Sequence, residues 1–278
     1  MKPTVKIQIL AENTANAAGL LGEHGLSLWL EIGPQSLLFD TGQGMTLRHN
    51  ARQLNIPLET AEVLILSHGH YDHTGGLAQV LEKIPNIRLY AHPRALEPKF
   101  VILENAPVRE NGISETNRKA LKKYAPEIIE TVEPCEIIPG VWVTGEIPRR
   151  EPLETLRAPI YLDNRGKRPD TLADDQAMFI DTASGVVALL GCAHAGVINT
   201  LDFIAEFLGV TRFHAVIGGM HLLGAGEERL RATLSTFEKY QVEKLVPLHC
   251  TGEKARCYFR EKLPERYREG QVGMSLKF

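Results

Sequence analysis

Short apolar runs recur along the chain, and most of them end at glycine, serine, aspartate or histidine. The first ten residues alternate apolar and polar side chains, as expected for a strand with one buried face. The later runs are rich in valine, isoleucine and leucine and are too short for helices, so they also predict strands. These predicted strands cover residues 27–32, 36–39, 63–66, 88–90, 178–180, 186–190, 214–217 and 244–248.

Other stretches between these runs carry apolar residues at helical spacing. This periodicity predicts helices over residues 76–83, 197–208 and 227–240. Strands that alternate with helices indicate a layered α/β protein. The pattern alone leaves two architectures open: a doubly wound parallel sheet, and a sandwich of two sheets covered by helices.

Residues 95–172 have a different composition, with nine prolines and many charged side chains. Proline removes a hydrogen-bond donor from a sheet, so this segment is not expected to supply central strands. We predict that it forms a small subdomain or lid over a functional site, with a helix near residues 114–124. A plain surface excursion is the alternative. The chain as a whole, residues 1–278, is interpreted as a single domain that carries this insertion.

The overall composition is that of an ordinary globular protein, with 44% apolar and 23% charged residues. The 31 basic and 34 acidic residues include no basic run, which argues against a nucleic-acid partner. No stretch approaches the roughly 20 apolar residues of a membrane span, and the amino terminus does not resemble a signal peptide. The four cysteines form no Cys-x-x-Cys pair, which favours a reduced, cytoplasmic protein. A homo-oligomer is compatible with these features.

The densest group of potential metal ligands follows the predicted strand 63–66. Residues 67–76 read Ser-His-Gly-His-Tyr-Asp-His-Thr-Gly-Gly, which places His68, His70, Asp72 and His73 in one short loop. Imidazole and carboxylate are the groups that hold zinc and related divalent ions. A strand that runs into a glycine-containing loop allows alternate side chains to converge on one point. We therefore predict a metal site here, with a solvated polar loop as the alternative.

Three later strands also end at histidine or cysteine. The strand 186–190 is followed by Cys192 and His194, and the strand 244–248 runs into His249. We expect both histidines to be metal ligands, whereas Cys192 is either a ligand or a small buried residue. His221 follows two glycines at the end of the strand near 214–217, and it is a candidate metal ligand, proton donor or substrate contact. Surface or structural roles are expected for His24, His49 and His214.

The sequence from His68 to His73 resembles the His-x-His-x-Asp-His motif of the metallo-β-lactamase superfamily. Residues 37–42, Leu-Leu-Phe-Asp-Thr-Gly, are similar to that superfamily's first motif, a strand that ends in aspartate. Residues 191–200, 217–222 and 248–252 resemble the subgroup named for 7,8-dihydropterin-6-ylmethyl-4-(β-D-ribofuranosyl)aminobenzene 5′-phosphate synthase, which also includes metal-dependent hydrolases. The resemblance spans nearly the whole chain. It implies a four-layer αββα sandwich with a family-specific insertion.

The resemblance also implies a centre that holds one or two divalent ions. Zinc is the first expectation, with manganese, iron and magnesium as alternatives. Cys192 stands where many members carry an aspartate that bridges two metals. The usual third histidine of the first metal is not evident between residues 77 and 190, so either Asp175 or His194 is expected to fill that position. Asp40 is expected beside the metal, where it would accept a hydrogen bond from a ligand imidazole.

The activity implied by the resemblance is that of a metal-dependent hydrolase with a small-molecule, phosphorylated or pterin-like substrate. Asp72 and His221 are the expected catalytic residues. The alternative is a transferase that joins a pterin-methyl diphosphate to an aminobenzene ribose phosphate. A non-enzymatic metal or redox module is less favoured. Because guanidinium groups suit phosphate oxygens, candidate substrate contacts are Arg149, Arg150 and Arg157, with a solvated charged face as the alternative.

Overall fold

The computed structural model describes residue 2 and residues 4–124, 126–155 and 159–278. Within these ranges the chain forms sixteen strands and seven α-helices. The strands are β1 (Val5–Ala11), β2 (Ser27–Ile32), β3 (Gln35–Phe39), β4 (Val63–Ile65), β5 (Arg88–Ala91), β6 (Phe100–Val101), β7 (Arg109–Glu110), β8 (Ile128–Glu130), β9 (Cys135–Ile138), β10 (Val141–Val143), β11 (Ile160–Tyr161), β12 (Met178–Thr182), β13 (Gly185–Leu190), β14 (Phe213–Gly219), β15 (Lys244–Leu248) and β16 (Ser275–Lys277). The helices are α1 (Leu47–Gln53), α2 (Tyr71–Thr74), α3 (Leu77–Lys83), α4 (Glu115–Tyr124), α5 (Val197–Leu208), α6 (Glu227–Lys239) and α7 (Glu253–Lys262).

The elements predicted from hydrophobic periodicity are all confirmed, most of them to within one or two residues. Helices α1 and α7 are not predicted by the pattern. Each buries only three residues, and a polar residue is among them in both cases: Asn50 in α1 and Arg256 in α7. Too few apolar positions recur in these helices to produce a clear helical period.

Two large sheets form the centre of the molecule. The first has the strand order β16-β1-β2-β3-β4-β5-β8, and the second has the order β15-β14-β13-β12-β10-β9. Neighbouring strands are parallel from β3 to β8 in the first sheet and from β13 to β15 in the second. The carboxyl ends of these parallel strands therefore point toward the same edge of each sheet, which is where loops in such sheets commonly carry a functional site.

Apolar side chains of both sheets meet between them, where Leu30 and Phe39 of the first sheet share a buried cluster with Ile180 and Ile217 of the second. The outer face of the first sheet packs against α1, α3 and α4. The outer face of the second sheet packs against α5, α6 and α7. The order of layers is helix, sheet, sheet, helix, so the αββα sandwich is confirmed.

The segment 95–172 does not form one excursion. Its middle part supplies the edge strand β8 of the first sheet and the edge strand β9 of the second. It also supplies β10, which lies between β12 and β9, so the expectation that this segment supplies no central strand is wrong for β10. The small antiparallel sheet β11-β6-β7 and helix α4, also in this segment, lie outside the two large sheets. Pro126 precedes β8, and Pro134 and Pro139 lie in the connections from β8 to β9 and from β9 to β10, so none of them removes a ladder donor. None of the helices that the structure describes combines the length and apolar character needed to cross a bilayer.

Candidate metal centre

The candidate ligands lie just past the carboxyl ends of the parallel strands. Asp40 follows β3, and the loop from Ser67 to His73 follows β4 and includes α2. On the second sheet, Cys192 and His194 follow β13. His221 follows β14, and His249 follows β15 and begins a single 3₁₀ turn. Both sheets thus contribute side chains to one site.

The backbone is unusual at these strand ends. Eight non-glycine residues of the described chain have a positive φ, and four of them lie at the site: Asp40 at 58°, Ala193 at 54°, His221 at 47° and His249 at 49°. Non-glycine residues rarely adopt this conformation because it costs about 1–2 kcal/mol per residue. Such strain concentrates at functional sites, where surrounding contacts hold it in place.

Three imidazoles converge in what we call the imidazole lobe, formed by His68, His70 and His194. His68 Nε2 lies 2.9 Å from His70 Nδ1 and 3.3 Å from His194 Nε2, and the last two nitrogens are 3.1 Å apart. Nitrogens bound to one tetrahedral zinc at about 2.0–2.1 Å lie about 3.4 Å from one another. The observed spacing is therefore close to that of a ligand set. Of the two residues considered for the third position, His194 supplies the nitrogen here.

A second group, the carboxylate lobe, is formed by Asp72, His73 and His249. His249 Nε2 lies 3.2 Å from Asp72 Oδ2 and 3.3 Å from His73 Nε2. Cys192 stands between the two lobes, with its Sγ 3.2 Å from His73 Nε2. The same sulfur forms compact groups with His68 and His194 on one side and with His73 and His249 on the other. Its position suits a ligand shared by two ions.

The electrostatics of the imidazole lobe fit a divalent cation. Burial lowers the pKa of His70 to about 4 and holds the pKa values of His68 and His194 well below their usual range. Neutral imidazoles offer free lone pairs to a metal. Burial also raises the pKa of the Cys192 thiol, and coordination to a metal deprotonates such a thiol.

The carboxylate lobe differs because Asp72 and His73 are charged without a metal. Burial lowers the pKa of His73, but the carboxylates of Asp40 and Asp72 outweigh burial and raise that pKa to about 9. Burial raises the pKa of Asp72, but the charge of His73 and the hydrogen bonds from His24 and His249 hold it below its usual value. A cation that binds here must therefore displace the proton of His73.

Asp40 supports a histidine of each lobe through hydrogen bonds. Its Oδ2 accepts from His73 Nδ1 at 2.7 Å and from Ser67 Oγ at 2.6 Å, and its Oδ1 accepts from Ser67 N at 2.7 Å. Ser67 Oγ also lies 2.9 Å from His68 Nδ1. Because the serine proton points to Asp40, Ser67 accepts from His68 and directs the Nε2 lone pair of that histidine into the imidazole lobe. Gly191 is required beside this pair, since a Cβ there would collide with Ser67 Oγ.

Backbone amides around the imidazole lobe are held by two buried aspartates. Asp174 accepts from Gly69 N at 2.7 Å and pairs with the buried Lys99 at 3.0 Å. Asp175 accepts from Ala195 N at 2.8 Å, and burial raises its pKa to about 6. The observed partner of the Asp175 carboxylate is therefore a backbone amide of the loop that carries His194, rather than a ligand nitrogen.

The structure describes two of the three arginines considered as substrate contacts, and their side chains bond different protein groups. Arg149 donates to the backbone carbonyls of His194, Thr171 and Leu172. Arg150 is exposed and pairs with Glu206 of α5 at 2.7 Å. Arg157 lies outside the described residues. The guanidinium groups of the first two are thus occupied by protein groups.

Several residues of the site are missed by the sequence analysis. His24 was assigned to the surface, and its side chain is 54% exposed, but its Nε2 lies 3.3 Å from Asp72 Oδ2 at the rim of the carboxylate lobe. Asn13 Oδ1 lies 2.9 Å from His249 Nδ1. Cys250 Sγ accepts from His221 N at 3.3 Å and forms a compact group with Cys192 and His221. Of these, only Cys250 carries a sequence signal, since it adjoins a predicted ligand.

Comparison with known proteins points to one family. Residues 22–198 match the family described as the metallo-beta-lactamase superfamily. The chain is 30% identical to 7,8-dihydropterin-6-methyl-4-(beta-D-ribofuranosyl)-aminobenzene-5'-phosphate synthase of Methanocaldococcus jannaschii, and the match covers 99% of this chain and 97% of the relative. An uncharacterized protein of the same organism is 36% identical, with coverage of 90% and 91%. A solved structure, Tm1679, described as a metal-dependent hydrolase of the beta-lactamase superfamily, is 28% identical and superposes with a TM-score of 0.84 over 99% of both chains.

Proposed function

The chain belongs to the metallo-β-lactamase superfamily, and from this premise we propose that it is a metal-dependent hydrolase with a small phosphorylated substrate. The observation that carries the proposal is the pair of lobes, in which five imidazole nitrogens and one carboxylate oxygen converge around one thiol. A structural site would be closed by four ligands, whereas a catalytic site leaves positions open for water and substrate.

In this proposal each lobe would hold one divalent ion, and the Cys192 thiol would be available as a ligand to both. Zinc is the best match, because imidazole and thiolate are its preferred ligands. Iron and manganese are compatible with the histidines, while magnesium prefers a set made of oxygens. When bound, such ions polarise a phosphoryl or carbonyl oxygen and make water a better nucleophile near neutral pH.

The residues around the lobes take the remaining roles. The Asp72 carboxylate contacts His24 at the rim of the carboxylate lobe. In this position it orients water and accepts a proton. The His221 ring centre lies 4.4 Å from that of His194, and both side chains line the same cavity. His221 therefore stands where a leaving group emerges, and we assign it as the proton donor.

The four cysteines are free thiols, which supports a reducing, cytoplasmic location in this proposal.

A transferase reaction is the second candidate. It is favoured by the 30% identity, over 99% of the chain, to the relative named as a dihydropterin-methyl-ribofuranosyl-aminobenzene phosphate synthase. In that reaction the amino group of an aminobenzene ribose phosphate would displace diphosphate from a pterin-methyl diphosphate. The same lobes would stabilise the departing diphosphate, so the ligand set alone fits both reactions.

The test is an assay of the zinc-loaded protein with two sets of substrates. The first is bis(p-nitrophenyl) phosphate, and the second is a pterin-methyl diphosphate with and without the aminobenzene acceptor. Cleavage of the diester, with no acceptor-dependent release of diphosphate, is the result expected for a hydrolase. Acceptor-dependent diphosphate release would establish the transferase instead. The double variant H68A/H70A should lose metal and activity, while H49A, which removes an exposed histidine of α1, should retain both.

A further inference from the structure

A cavity of about 470 Å³ adjoins the imidazole lobe. His194 and His221 form its wall on the side of the metal centre, and Arg229 and Glu154 form part of the remaining wall. The loop from Leu223 to Gly226, which connects β14 to α6, also lines this cavity. A substrate that reaches the imidazole lobe from this side therefore passes the side chain of Arg229 in the first turn of α6.

Three polar atoms on this wall are buried and have no hydrogen-bond partner in the described part of the chain: Arg229 Nε, His194 Nδ1 and His221 Nδ1. Buried polar atoms in folded proteins are nearly always satisfied. Three residues that line one cavity therefore each keep unused hydrogen-bonding capacity.

Two carboxylates and one guanidinium line the cavity, and only the guanidinium suits an anionic ligand. Arg229 forms no ion pair with any described carboxylate, whereas Arg231, two residues along the same helix, pairs with Glu227 at 3.4 Å. Glu154 accepts from Ile198 N and Asn199 N, both at 3.0 Å, so its oxygens are committed to the start of α5. Glu228 lines the cavity as well, but it is exposed to solvent. Among the described residues that line the cavity, the cation without an ion pair is therefore Arg229. Burial raises the pKa of the nearby Glu154, and the charge of Arg229 opposes that rise.

The two other described arginines that were considered as substrate contacts are already engaged. Arg149 bonds three backbone carbonyls, and Arg150 pairs with Glu206. Neither presents a free guanidinium to a substrate. Arg229 thus takes the role that the sequence analysis gave to these two residues.

We infer that Arg229, together with His221, binds a phosphoryl group of the substrate beside the imidazole lobe. The inference deepens the proposed function and rests on it, because the group is placed next to the proposed reacting centre. A guanidinium fork matches the geometry of phosphate oxygens, and a charge-assisted hydrogen bond is about twice as strong as a neutral one.

The test measures binding of inorganic phosphate to the zinc-loaded protein by isothermal titration calorimetry. R229Q should bind phosphate at least about tenfold more weakly than the unmodified protein, since bonds to charged groups contribute about 1.5–3 kcal/mol. R229K should recover part of the affinity because it keeps the charge. The matched control is R231Q, which removes an exposed, paired arginine of the same helix and should bind phosphate normally. Metal content measured on each variant shows whether the lobes are intact.

Equal phosphate affinity in R229Q and the unmodified protein would overturn the inference. So would an equal loss in R229Q and R231Q, which would indicate a general charge effect, or no phosphate binding at all. The proposed function fails separately: if neither substrate set is turned over but R229Q alone loses phosphate, the binding site stands and only the assigned reaction is wrong. A higher KM for a phosphorylated substrate in R229Q, with a smaller change in kcat, would support both.

Discussion

The two lobes of the centre are braced in opposite ways. In the carboxylate lobe the rings are fixed: His73 Nδ1 bonds Asp40 at 2.7 Å and His249 Nδ1 lies 2.9 Å from Asn13 Oδ1. In the imidazole lobe, His70 Nε2 and His194 Nδ1 have no partner among the described residues. In that lobe Asp174 and Asp175 instead hold the backbone, by accepting from Gly69 N and Ala195 N.

This difference predicts an order of metal binding. A ligand ring that is already oriented loses less rotamer freedom when it binds a metal, and partners on the far nitrogen raise its affinity. An ion in the carboxylate lobe must displace the proton of His73, but the carboxylates of Asp40 and Asp72 that raise its pKa also attract a cation. This lobe should therefore fill first and hold its ion more tightly. The imidazole lobe, whose His70 and His194 rings are freer, should exchange its ion more readily.

Removal of one ligand from each lobe tests this order most directly, and it should give the largest effect. H70A should keep about one metal equivalent per chain after dialysis, because the carboxylate lobe is intact. H73A should keep less than that, because only the less oriented lobe remains. Mass spectrometry of the metals measures both. If H73A held its metal while H70A lost nearly all, the proposed order would be reversed.

The backbone brace of the imidazole lobe is the next target. Lys99 is fully buried and pairs with Asp170 at 2.6 Å and Asp174 at 3.0 Å, all with side chains excluded from solvent. K99M leaves two buried carboxylates without a cation, so the free energy of unfolding should fall by about 3–5 kcal/mol. Denaturant unfolding monitored by circular dichroism measures it. K262M, which removes an exposed pair with Glu261, should leave the free energy of unfolding unchanged within error; equal losses would mean that the buried triad adds nothing.

Asp40 orients histidine rings in both lobes, so its substitution should weaken metal binding in both. D40N cannot accept from Ser67 N, Ser67 Oγ and His73 with the same charge, and metal affinity should fall by about 10- to 100-fold. Competition with a chromophoric chelator measures the affinity. D202N, at an aspartate of α5 that pairs with Lys239, serves as the control and should match the unmodified protein. An unchanged affinity in D40N would show that the rings need no brace.

Asn13 should give the smallest effect, because it supports one ring only. N13A removes the partner of His249 Nδ1, a contact worth about 1 kcal/mol, so affinity in the carboxylate lobe should fall by about fivefold. The same chelator competition measures this change. A loss confined to the more weakly held ion would place the effect in the wrong lobe and contradict the assignment.

The sequence predicts most of the fold because the buried strands carry continuous apolar runs and α5 and α6 have a strong helical period. The loop after β4 and the ends of β13 and β15 are predictable as ligand positions, since histidine at a strand end has few structural uses. Strands β8 to β10 are not predicted, because they are short and the connections between them contain proline.

What the sequence could not reveal are contacts between distant residues. His24 and Asn13 follow β1 in a loop with no ligand motif, and only the pairing of β1 with β2 and the approach of β15 place them at the carboxylate lobe. Arg149 and Arg229 look alike in sequence, yet one bonds backbone carbonyls and the other faces a cavity. Such differences depend on tertiary packing.

Each lobe draws its ligands from both sheets, so a bound ion is also a crosslink. In the imidazole lobe it joins positions 126 residues apart, and in the carboxylate lobe 176 residues apart. A link that closes such long loops stabilises the folded chain by restricting the unfolded one, and it must break before the sheets separate. Chelation should therefore speed unfolding and digestion by a protease. The lifetime of the protein is then governed by the supply of metal, independently of whether substrate is present.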